Sequence, residues 1–110
     1  MWSGPASLYV LIALANDPQH GLGIAENVAE FTENRVLLGP GTLYRVLKDL
    51  SAQGLIERVD LPSVDDPRRK CYALTSAGRE ELSGAFRELS LVHQTAAHRL
   101  SELGAPAGHS

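Results

Sequence analysis

The sequence predicts a domain that is mainly α with a small β-hairpin, an α+β arrangement in which three short helices precede the hairpin and one long helix follows it. Three observations carry this. Apolar residues recur at helical spacing in three separate stretches of the first half. Two strand-like segments then flank a loop dense in proline and aspartate. Last, an apolar 4-3 repeat runs almost to the final residues. A chain of 110 residues allows one small domain, and 44% apolar with 21% charged residues is a globular balance, not that of a disordered chain.

The first helix is read from Leu8, Leu11, Ile12 and Ala15, which share one face, and Asn16-Asp17-Pro18 ends it. This stretch is apolar nearly all round, which predicts a helix covered on several sides. After Gly21-Leu22-Gly23, the residues Ile24, Val28 and Phe31 predict a second helix over about 22–33. The third helix follows Gly39-Pro40-Gly41, since proline suits a first helical turn where its missing N–H has no partner. Leu43, Val46, Leu47 and Leu50 keep the i, i+3, i+4, i+7 pattern, and Tyr44, Arg45 and Lys48 fall together on the other side. Gly54 stands where a glycine closes a helix, and Leu55 can fold back on Leu50.

Ile56 to Leu61 reads as a strand, Pro62 to Pro67 as a loop, and Lys70 to Leu74 as the returning strand with Tyr72 and Leu74 on one face. Thr75 is a suitable N-cap for the last helix. In that helix, from Ser76 to about Leu103, the residues Leu82, Phe86, Leu89, His93, Ala96, Leu100 and Leu103 step alternately by four and three. That is a heptad seam. A helix this long reaches about 40 Å, and part of its stripe has nothing in its own chain to cover it. The division expected is a first unit over 1–75, a dimerisation helix over 76–103 and a disordered tail over 104–110.

Composition narrows the chemistry. One cysteine, Cys71, excludes an internal disulfide framework and any Cys-based zinc site built by one chain. It points to a reducing cytoplasm. The longest apolar run, Leu8 to Ala15, has eight residues, whereas a membrane span needs about 20, and no basic start marks an export signal. The net charge of −3 hides an uneven distribution. Residues 1–34 hold four acids and no Lys or Arg, residues 35–70 hold seven bases against five acids, and residues 71–110 hold three bases against four acids. A base-enriched centre between acidic flanks is compatible with docking on a polyanion.

No catalytic constellation, cofactor loop or metal-ligand set stands out. Gly21-x-Gly23 and Gly39-x-Gly41 lack a third glycine, because Glu26 and Tyr44 occupy those places. His93 and His98 lie about 140° apart round a helix and do not form a chelating pair. His20 reads as a hydrogen-bonded residue pinning a turn, and Cys71 as a buried, inert thiol.

Three helices, a hairpin and a helix, in that order, are the elements of a winged helix-turn-helix. The major groove of DNA admits one α-helix, and a hairpin tip bearing Arg68, Arg69 and Lys70 can reach phosphates beside it. The residues expected at double-stranded DNA are Pro40, Gly41, Thr42, Tyr44, Arg45 and Lys48 on the third helix, with Arg68, Arg69 and Lys70 on the wing. Against this stand blander readings: an Arg-Arg-Lys run as solvated charge, and Tyr44 packed on the second helix.

At this level of detail the sequence resembles the PadR family of bacterial transcription regulators. The matching stretches are Leu8 to Leu14 with His20-Gly21, Leu38 to Tyr44 with Gly54-Leu55-Ile56-Glu57, and Asp65 to Lys70 with Tyr72-Ala73-Leu74-Thr75 and Ala77-Gly78. The family's usual aromatic after His-Gly is Leu22 here, Cys71 stands where a second aromatic is common, and Ser76 where proline is common. The resemblance covers roughly residues 8–100 and implies a dimeric repressor, joined through its N-terminal and C-terminal helices and released by a small-molecule effector. The dimer interface expected comprises Leu8, Leu82, Phe86, Leu89, His93, Ala96 and Leu100, and the effector pocket Trp2, Tyr9 and His93. For His93 two roles stay open, an imperfect seam position or a ring lining a cavity. A second reading of the whole chain is a small-molecule-sensing module with weak DNA contact, and a third is an adaptor that uses the winged helix for protein contact.

Overall fold

A computed structural model describes residues 5–61 and 70–104. The elements are α1 (Pro5–Leu14), β1 (Gln19–His20), α2 (Gly21–Phe31), α3 (Pro40–Ala52), β2 (Ile56–Val59), β3 (Cys71–Leu74) and α4 (Ser76–Glu102). Helix α1 buries Ser7, Leu8, Val10, Leu11, Ala13 and Leu14, which take up most of its circumference and leave only the Pro5, Tyr9 and Ile12 side less covered. It packs against α2, α3, α4 and β3, which is the many-sided cover its composition predicts.

The core gathers Val10, Leu11 and Leu14 of α1, Ile24 and Val28 of α2, the four leucine and valine positions read on α3, and Ile56 and Tyr72 of the sheet. Each such side chain, fully buried, contributes about 1.5–3 kcal/mol. Leu82 of α4 packs against this cluster and Ala85 is buried, but no residue of α4 beyond Ala85 is.

The hairpin forms as β2 and β3, and β1 adds a third strand, which makes an antiparallel sheet of order β1-β3-β2. Gln19 pairs with Tyr72 and His20 with Cys71, while Ile56 through Val59 pair with Leu74 back to Cys71. A two-residue strand has no periodicity to read, so β1 escaped the pattern. Its strand character comes from the pairing with β3. Strand β2 ends at Val59 rather than Leu61, and α2 ends at Phe31 rather than about residue 33. The second difference follows from Glu33 and Asn34, whose φ of 54° and 65° leave the helical region; at the C-cap, Thr32 Oγ1 donates to the Val28 carbonyl at 2.7 Å. Asn34 N–H closes the end on the Ala29 carbonyl at 2.7 Å. Of the expected tail, all but Gly104 lies outside the described residues.

Candidate nucleic-acid interface

Helix α3 is fixed at both ends by local chemistry. Gly39 is its N-cap with extended backbone, and Pro40 opens the first turn. At the other end Gly54 has φ 75°, Gly54 N–H donates to the Ser51 carbonyl and Leu55 N–H to the Leu50 carbonyl, each at 3.0 Å. This is the closure the Leu50–Gly54–Leu55 spacing predicts.

What precedes α3 is equally tied. The Thr32 hydroxyl accepts from Val36 N–H at 3.1 Å, and Val36 and Leu38 pack on the core. Helix α2 starts on His20, whose Nδ1 accepts from Gly23 N–H at 3.0 Å. The turn role read for His20 is therefore played as a helix cap. A Cβ at Gly21 would touch Leu43 and Leu47 of α3, so the start of α2 sits closely on the middle of α3.

The free face of α3 carries Pro40, Gly41, Tyr44, Arg45 and Lys48, all exposed, with Thr42 half-buried. Tyr44 is 62% exposed, so it does not pack under α2. Helix α2 shows Glu26 and Glu30 to solvent, so the two helices present opposite signs. Charges beyond about 8–10 Å are screened at physiological salt, which makes this local asymmetry matter more than the net charge. Lys70 is exposed at the foot of β3, whereas Arg68 and Arg69 lie outside the described residues.

The wing is joined to α3 and α4 through one threonine. Thr75 N–H donates to the Leu55 carbonyl at 3.1 Å, its hydroxyl donates to the Gly54 carbonyl at 2.7 Å, and its oxygen accepts from Gly78 N–H at 3.0 Å. Gly78 lies directly on the Leu55 carbonyl, where a Cβ would collide with the backbone. The Gly54-Leu55-Ile56 and Leu74-Thr75-x-x-Gly78 stretches, far apart in sequence, are thus the two halves of one contact.

The remaining expected residues fall elsewhere. Leu8 is buried in its own chain. Phe86, Leu89, His93, Ala96 and Leu100 are exposed on α4. Between α1 and α4 runs a groove of about 570 Å³ lined by Leu8, Ile12, Leu82, Ser83, Phe86, Arg87 and Leu89. Neither Tyr9 nor His93 lines it. The Tyr9 ring instead faces Phe31 of α2, with centroids 6.2 Å apart. Trp2 lies outside the described residues. Cys71 is buried, as read. One exposed base of the sheet, Arg58 on β2, entered the sequence reading only as a count of charge.

Comparison with known proteins agrees with this geometry. The chain is similar to a PadR family transcription regulator from Clostridium difficile, at 26% identity and TM-score 0.75 over 88% of this chain and 99% of that one. It is also similar to a PadR-like transcription factor from Bacteroides fragilis, at 25% identity and TM-score 0.69 over 84% and 87%. An uncharacterized 37.1 kDa protein in transposon TN4556 of Streptomyces fradiae is 38% identical over 82 residues, or 74% of this chain; the match spans only 22% of that protein's length. The profile described as "Transcriptional regulator PadR-like family" matches residues 10–84. With everything from α1 to the start of α4 largely inside that match, the chain belongs to the PadR-like family of transcriptional regulators.

Proposed function

We propose that the chain is a dimeric, DNA-binding repressor of the cytoplasm, released from its operator by a small-molecule effector. In this reading residues 1–75 form the DNA-binding head and residues 76–103 a dimerisation helix whose first turns are anchored to the head. Helix α3 enters the major groove and the wing lies along the flanking backbone. Pro40, Gly41 and Thr42 bring the N-terminal turn of α3 to the DNA. Tyr44, Arg45 and Lys48 face the groove. Arg68, Arg69 and Lys70 meet phosphates. The observation that carries the reading is the exposed Tyr44, Arg45 and Lys48 face of a helix held rigidly at both ends.

The test is selection of bound fragments from genomic DNA by the purified protein, followed by a salt titration on the best fragment. If about three bases per subunit meet phosphates, a dimer makes about six contacts and log K falls against log salt with a slope near −5. Half-sites are expected about 34 Å apart. A protein with no affinity for any fragment at low salt is not this regulator. The second reading, a small-molecule-sensing module with weak DNA contact, draws on the apolar groove between α1 and α4, and it predicts ligand binding with a slope near zero.

A further inference from the structure

We propose that Arg58 of β2 is a phosphate contact in the cleft between α3 and the wing, a role that rests on the DNA-binding reading above. The register of the sheet places it. Arg58 is paired with Tyr72 and Tyr72 with Gln19, so these three residues form one rung across the strands. Residues directly opposed on neighbouring strands share a face. Two members of the rung point inward. Gln19 Nε2 donates to the Ala13 carbonyl at the end of α1, at 2.7 Å, and Tyr72 is 8% exposed within the core. Ile56, two residues before Arg58 and so on the same face, is buried as well.

Arg58 leaves the strand on this core-facing side and is nonetheless exposed. Its charge therefore reaches water at the rim of the core, on the β2 edge of the sheet, and the helix packed on β2 is α3. The level along α3 follows from the same rung. Gln19 is separated from Gly21 only by His20, and a Cβ at Gly21 would touch Leu43 and Leu47. Strand β2 follows α3 directly through Gln53-Gly54-Leu55 and packs back against it. Among the described residues no carboxylate is paired with Arg58. With α3 in the groove, the adjoining sugar-phosphate backbone runs past this cleft. A guanidinium there donates two N–H groups to one phosphate in the fork geometry that arginine favours.

The test compares the full-length wild type with Arg58→Met and Arg58→Lys on the selected fragment and on random DNA. Methionine keeps an unbranched aliphatic stem and removes the charge. Arg58→Met is expected to make the slope of log K against log salt shallower by about 1 per subunit. It should weaken specific and random DNA by the same factor and leave the melting temperature unchanged. Arg58→Lys should restore the slope. An unchanged slope for Arg58→Met overturns the proposal, and so does a loss confined to the specific fragment or one that tracks a fall in melting temperature. Arg45→Ala serves as the control: if it weakens binding while Arg58→Met does not, the DNA-binding reading stands and Arg58 has no part in it. A wild type that binds no DNA overturns both.

Discussion

Gly78 and Gly84 stand on the same helix, and a methyl group added to each meets opposite surroundings. At Gly78 it would run into the Leu55 carbonyl and come within 2.9 Å of Leu74 Cδ1. The carbonyl is backbone, already held by Thr75, and cannot yield. Gly78→Ala is therefore expected to cost about 1–3 kcal/mol, the range for overpacked sites, and to loosen the start of α4 from the wing. At Gly84 the nearest outside atom is the far end of Arg87, at 3.9 Å. There the usual preference for alanine in a helix interior applies, and Gly84→Ala should stabilise by about 0.5–1 kcal/mol. Urea denaturation of the two variants checks the pair: changes of the same sign would mean that the Leu55 contact does not set the role of Gly78.

At the scale of elements, the proposed DNA-binding function divides the work between α3 and the wing. Arg45 lies on the face of α3 turned away from Leu43 and Leu47, where a guanidinium can meet guanine in two hydrogen bonds. Arg45→Ala is expected to cost about 1–3 kcal/mol on the specific site and to relax preference at one position. Arg69→Ala should weaken all sequences alike, because phosphate contacts position without reading bases. Equal losses on specific and random DNA for Arg45→Ala would move the reading role to Lys48. Helix α3 was fully legible in the sequence because everything that defines it is local: Pro40 at the start, the leucine spacing and Gly54 at the close. Thr75 was legible as a cap for the same reason, although its hydrogen bond to Gly54 was not. Strand β1 and the side taken by Arg58 were not legible, since both are set by pairing with β3, far along the chain, and pairing leaves no mark in a two-residue strand. The end of α2 was missed because the chain there turns through a positive φ at Glu33 as well as at Asn34, and glutamate is not a residue type that marks one.

At the scale of the molecule, the extents of 56 × 27 × 23 Å and a radius of gyration of 16.3 Å, against about 13 Å for a compact chain of this size, describe a head with an arm. The arm is α4 beyond Ala85, and its apolar side chains are open: Phe86 is 67% exposed and Leu103 80%, with Leu89, Val92 and Leu100 between them. This stripe continues from Leu82, which covers the head's own core, so one face of one helix is half satisfied and half bare. Water contact along it is unfavourable by about 25 cal/mol per Å², and in the proposed dimer a second copy presenting the same stripe would remove it for both chains. The core residues of the head all precede Phe86, so deleting residues 90–110 should leave the head folded and make it monomeric by sedimentation. A truncated protein that stays dimeric would refute the arm as the joint. Within an arm so upheld, His93 is the point that tests for an effector. It lies on the exposed stripe of α4, one turn beyond Leu89, where a second arm would cover it. If His93 is only an imperfect seam residue, His93→Leu strengthens the dimer and leaves release from DNA unchanged. If its ring lines a cavity between two arms, His93→Leu dimerises no better and no longer lets go of DNA when the inducer is added, and sedimentation read beside DNA release separates the two.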